Sequence, residues 1–164
     1  MSGQFDFNDG AEELVCCDTS GLAPKMRDRV EAALAAANAA GLDAILYETT
    51  RSDELQRMYY ARGRTTVPPY RRVTNVESAQ YGWHFFGLAV DVIPASKRWE
   101  VPDIWWMKLA VIFKEYGLDW GGDWESADNP HFQFAGIRKS PSDKARKLYA
   151  NGGKEAVWEV VGAA

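Results

Sequence analysis

Cysteine is nearly absent from this 164-residue sequence: the only two, Cys16 and Cys17, are neighbours. Adjacent cysteines rarely reach disulfide geometry and neither has another partner, so an intrachain disulfide framework is excluded and synthesis in a reducing compartment is expected. No run of about 18 apolar residues exists, which excludes a helical membrane span. Residues 1–10 lack the basic and apolar regions of a signal peptide. Internal repeats and low-complexity linkers are also missing. The net charge of −4 argues against a general nucleic-acid binder. Histidine is as scarce as cysteine, with only His84 and His131.

Hydrophobic residues make up 46% and charged residues 26%, the balance of a folded globular chain. The length fits one domain with its own core, spanning residues 1–164. Seven Trp, seven Tyr and seven Phe are enough to supply a core and also to line a groove for an extended ligand. Between Arg51 and Arg72 six arginines stand against Asp53 and Glu54, so this segment is basic in an acidic chain. It is either a solvated loop or a local attractor for an anionic ligand.

Apolar spacing predicts a helix over residues 25–40 (Met26, Val30, Ala33, Leu34, Ala37), with Pro24 near its start and Gly41 at its end. Residues 44–50 read as a strand. Ser52 is placed to cap a second helix reaching Arg62. Residues 63–81, with Pro68 and Pro69, read as a long loop. Leu88–Ile93 is a strand stopped by Pro94. Trp105, Leu109, Ile112, Phe113 and Tyr116 mark another helical face, ended by Gly117. Residues 120–123 are a short extended piece with a Gly-Gly turn, and residues 131–134 a strand. Two short helices, 143–150 and 154–161, follow around Gly152-Gly153. Helices and strands alternate without βαβ regularity, which predicts an α+β fold: a small, mainly antiparallel sheet with helices packed on one face.

The two histidines each have a carboxylate close by. Asp91 follows His84 by seven residues, and Asp128 precedes His131 in Asp-Asn-Pro-His. Side chains alternate along a strand. With Leu88, Val90 and Val92 facing the core, Asp91 points the other way. With Phe132 and Phe134 facing the core, His131 shares the opposite face with Gln133. A bend at Gly87 would bring His84 to the same cleft. Two His and one carboxylate suit a catalytic Zn²⁺, leaving a position for a water whose pKa falls to about 7. A further carboxylate is then needed to move its proton, and Asp128 is the candidate. The alternative is that each Asp merely supports its His.

The blocks Gly82-Trp83-His84-Phe85-Phe86-Gly87-Leu88-Ala89-Val90-Asp91, Trp120-Gly121-Gly122-Asp123-Trp124 and Asp128-Asn129-Pro130-His131-Phe132-Gln133 resemble the M15 family of zinc peptidases. So do Thr50-Arg51-Ser52, Gln56 and Tyr60-Ala61-Arg62-Gly63-Arg64-Thr65. The similarity runs over about residues 45–134 and is greatest to the L-alanyl-D-glutamate endopeptidases of phage endolysins and bacterial autolysins. One position departs: relatives commonly carry Ser two residues before the first His, and this chain has Gly82.

The resemblance implies a D,D-peptidase/hedgehog-like fold and zinc held by His84, Asp91 and His131. It implies Asp128 as general base and acid, and Arg51 at the scissile carbonyl or oxyanion. Gln56, Gln133 and Trp83 are the candidate substrate-binding residues. The implied activity is hydrolysis of an amide in a peptidoglycan stem peptide, between L-Ala and D-Glu, by a phage-type endolysin without a separate wall-binding module. Its alternatives are a D,D-carboxypeptidase or dipeptidase on the same scaffold, and a non-catalytic zinc-containing wall-binding module. Asp rather than Glu before the second His favours the endopeptidase. A monomer made in the host cytoplasm and acting on the wall after release is the expected biology.

Overall fold

Pro24 presets the first turn of α1 (Pro24–Ala39), and its apolar stripe, Met26, Val30, Ala33 and Ala37, is fully buried. The computed structural model describes residues 9–66, 70–96 and 99–164. Ser52 caps α2 (Asp53–Ala61) by accepting a hydrogen bond from the Leu55 N–H. α3 (Asp103–Glu115) buries Trp106, Leu109, Ala110 and Phe113. α4 (Asp143–Val161) is capped by Ser142 and kinked where Gly153 leaves helical geometry, so its two pieces meet at the expected Gly-Gly break.

Four strands form one sheet in the order β1-β2-β4-β3: β1 (Ala44–Glu48), β2 (Ala89–Pro94), β3 (Leu118–Trp120) and β4 (His131–Phe134). Every ladder is antiparallel. Pro94 does not stop β2 one residue early; it is the last strand residue, opposite Ala44, where a missing N–H is tolerated. A short 3-10 turn, Ala79–Tyr81, interrupts the expected loop 63–81. Pro68 and Pro69 of that loop lie outside the described residues, as do residues 1–8.

The helices and the site occupy opposite faces of the sheet. The Phe113 ring of α3 lies 4.4 Å from the Phe132 ring of β4, so α3 covers the face of Phe132 and Phe134. Val90 and Val92 share that face by strand alternation and are fully buried. Phe86, Phe113 and Phe132 are all fully buried, a contribution of about 1.5–3 kcal/mol each. Asp91, His131 and Gln133 therefore point from the other face. Asp91 and His131 are direct cross-strand partners.

Among the described residues no helix is long and apolar enough to cross a membrane.

Candidate metal centre

His84 reaches the sheet because the chain reverses immediately after it. Gly87 takes φ 67°, and a Cβ there would sit 2.5 Å from the Gly21 carbonyl oxygen, so only glycine fits this turn. The Gly87 N–H bonds back to the His84 carbonyl, closing the bend. The next residues enter β2 and deliver Asp91.

Ligand atoms of His84, Asp91 and His131 all lie within 4.8 Å of one another. His84 Nε2 is 3.3 Å and His131 Nδ1 is 3.7 Å from Asp91 Oδ1. The supporting hydrogen bonds decide which ring nitrogens are available. His84 Nδ1 lies 2.9 Å from the Thr49 carbonyl oxygen, which can only accept, so Nδ1 carries the proton and Nε2 faces Asp91. Gln133 donates its amide to the Arg138 carbonyl oxygen at 3.0 Å. Its Oε1 therefore faces His131 Nε2, also at 3.0 Å, and His131 donates there. Nδ1 of His131 is left toward Asp91. Two imidazoles thus converge on one carboxylate with their metal-binding nitrogens aimed inward and their other N–H groups anchored. That is the donor set and orientation Zn²⁺ takes in catalytic sites.

The local field suits a cation. Burial pushes the Asp91 carboxyl up, but His84, His131 and Arg51 outweigh it and hold it at about 2. Burial, then the neighbouring His84, pulls His131 down to about 4, which keeps the imidazole neutral. For His84 burial works downward, yet the Asp91 carboxylate prevails and the net direction is up.

Asp128 is fixed beside this set by backbone contacts. Its N–H donates to the Gly121 carbonyl at 2.9 Å, and its own carbonyl accepts from the His131 N–H. A Cβ on Gly121 would lie 2.5 Å from the Asp128 carbonyl oxygen, so this approach also requires glycine. Asp128 itself is exposed to solvent. Its pKa is pushed up to about 6, first by burial and then by Asp91.

Arg51 stands behind the metal-ligand set. It grips Glu48 with two bonds of 2.7 and 2.6 Å, donates to Gln56 Oε1 at 3.0 Å, and comes within 4.0 Å of Asp91 Oδ2. Glu48 is only 1% exposed. The pair with Glu48 holds the guanidinium firmly protonated against burial. Among the described residues each terminal nitrogen makes one hydrogen bond, and the second N–H of each is open to a further acceptor.

The structure gathers His84, Asp91, His131, Asp128 and Arg51. The three residues expected at the substrate are used as internal supports. Gln56 links Arg51 to the Val76 carbonyl, Gln133 orients His131, and the Trp83 indole donates to the Arg138 carbonyl at 2.7 Å. Glu48, the Thr49 carbonyl and the Trp124 ring, 4.9 Å from the His131 ring, were not assigned from sequence. A lone acid in an apolar strand three residues before Arg51 was the available signal for Glu48.

Comparison with known proteins agrees with this geometry. The family described as D-alanyl-D-alanine carboxypeptidase (Peptidase_M15_4) matches residues 76–134. CwlK of Bacillus subtilis (strain 168), a peptidoglycan L-alanyl-D-glutamate endopeptidase, is 31% identical over 130 residues, covering 70% of this chain and 74% of that protein. The crystal structure of Serratia marcescens L-Ala D-Glu endopeptidase ChiX superposes with a TM-score of 0.50 at 24% identity, over 79% of this chain and 89% of that one. The vancomycin-resistance D,D-pentapeptidase VanY from a VanB-type cassette, solved with Zn(II), gives 0.54 at 18% identity over 83% of each chain. These two structures establish the shared fold. With the sequence match across most of its length and a His-Asp-His cluster typical of a zinc metallopeptidase active site, the chain belongs to the M15 family of peptidases.

Proposed function

We propose that this protein hydrolyses the L-Ala–D-Glu amide of peptidoglycan stem peptides, with zinc held by His84, Asp91 and His131. The observation that carries the chemistry is the anchored His-Asp-His set with Asp128, a carboxylate of raised pKa, beside it. The choice of bond rests on likeness to the endopeptidase CwlK.

Zn²⁺ in this site would supply a Lewis acid and make water nucleophilic near neutral pH. Asp128 takes the proton of the attacking water and delivers it to the leaving amine, both transfers within the range of a carboxylate positioned beside the site. Gln133 and the Thr49 carbonyl hold the two imidazoles in the tautomers that keep one nitrogen of each bare. Arg51, braced by Glu48 and Gln56, offers its remaining N–H groups to the oxyanion that develops on the scissile carbonyl.

A second reading is a D,D-carboxypeptidase, favoured by the description of the matching family. Digestion of defined peptidoglycan followed by mass spectrometry separates the two. New D-Glu amines support the endopeptidase; released D-Ala with intact L-Ala–D-Glu bonds overturns it. The same digestion tests the non-catalytic alternative, for which no cleavage occurs at all. A lytic, phage-type role for a monomer released onto the wall is part of the same proposal.

A further inference from the structure

The ammonium of Lys139 lies over the Trp124 ring, 4.8 Å from its centroid, and the Trp124 ring in turn packs 4.9 Å from the ring of His131. The ammonium thus sits on a ring that itself packs, tilted, against a residue of the metal centre. Lys139 is exposed, and among the described residues it forms no ion pair. A cation held on an indole face is oriented without being neutralised.

Asp91 and Asp128 are both carboxylates, and the Arg51 guanidinium is already matched by Glu48. Zinc in this site would offset Asp91, and an anionic substrate would still meet the Asp128 carboxylate beside it. Trp124 and Asp128 belong to one turn, their N–H groups both donating to the Gly121 carbonyl, so the Lys139 ammonium on the Trp124 ring lies on the Asp128 side of the centre.

The reaction direction then fixes which part of the substrate Lys139 meets. Asp128 delivers its proton to the leaving nitrogen, so the leaving residue lies on the Asp128 side of the cleft, which is also the side of Lys139. In an L-Ala–D-Glu stem the carbon bonded to that nitrogen bears a free α-carboxylate. We infer that Lys139, steered by Trp124, recognises the α-carboxylate of the residue on the leaving-amine side and discriminates against its carboxamide. The inference rests on the endopeptidase reading above. A compact point charge on a flexible stem suits one carboxylate held at the rim of a cleft.

The test uses two synthetic stem peptides that differ only in carrying a carboxylate or a carboxamide at that carbon. The zinc-loaded parent, Lys139→Met and Lys139→Arg are compared by the ratio of kcat/KM for the two peptides. The parent is expected to favour the carboxylate by about tenfold, the scale of one charge-assisted hydrogen bond. Lys139→Met should bring the ratio to within about twofold of unity, and Lys139→Arg should restore part of it. Melting temperatures confirm that each variant is folded. Equal kcat/KM for both peptides in the parent, or an undiminished preference in Lys139→Met, overturns the inference while leaving the endopeptidase reading intact. A parent that releases terminal D-Ala and leaves the L-Ala–D-Glu bond uncut overturns that reading and this inference together.

Discussion

Removing the Gln133 amide leaves the His131 Nε2–H without its buried acceptor and frees the ring to turn. Gln133→Leu is therefore expected to weaken zinc binding by about 10–100-fold, the usual effect of losing such an outer support. A competition titration against a chromophoric chelator measures it, and parental affinity would show that the His131 tautomer is set elsewhere. Arg51 calls for a paired design. Arg51→Ala alone strands the Glu48 carboxylate in a buried site, at a cost of about 3–5 kcal/mol, so lost activity could reflect unfolding. The double variant Glu48→Gln/Arg51→Met removes both charges. It should stay folded, keep its zinc and lose about 10²–10³ in kcat, as when one oxyanion donor is deleted. Wild-type kcat in this variant would remove Arg51 from the proposed chemistry.

Two tight turns deliver the site from regular elements. Gly87→Ala places a methyl against the Gly21 carbonyl in a left-handed conformation, and the variant is expected to lose several kcal/mol of stability together with its zinc. Urea denaturation with zinc analysis checks this; a parental midpoint would mean that the bend has another solution. How far the fold could be read from sequence depended on the element. β2 and β4 were legible because alternation is unbroken there: Val90 and Val92 against Asp91, and Phe132 and Phe134 against His131. Two histidines with local carboxylates then pointed to one centre. β1 was less legible. A bulge makes Glu48, rather than Tyr47, the partner of Asp91. Plain alternation would place Glu48 with Leu46, on the helix-covered face opposite Val92. The extra residue turns it to the site, where it meets Arg51. The supporting roles of Gln56 and Trp83 depend on the carbonyls of Val76 and Arg138, 20 and 55 residues away, which no local pattern reveals.

At the scale of the whole molecule, the zinc site lies on one face of the sheet and the main core on the other, and a separate ion pair ties Asp9 to the end of α2. Asp9 accepts two bonds from Arg62 of the α2 C-terminus, at 2.8 and 3.0 Å, and both side chains are largely buried. Arg62, opposed by burial, holds the Asp9 carboxyl below the usual carboxylate range. A carboxyl whose pKa is lower folded than unfolded adds stability above its unfolded value and loses it as pH falls through the folded one. The melting-temperature difference between the parent and Asp9→Asn should thus be steady near neutral pH and shrink below about pH 4. A difference independent of pH would mean that Asp9 acts through packing alone. The central claim separates ligands from base: His84, Asp91 and His131 hold the metal, and Asp128 moves the proton. Its most direct test measures zinc content and stem-peptide cleavage on a single preparation of Asp128→Ala. The predicted result is zinc at the parental level with turnover lower by at least about 10², the scale of general acid–base catalysis; a protein that has lost its zinc, or one that cleaves as fast as the parent, would contradict it.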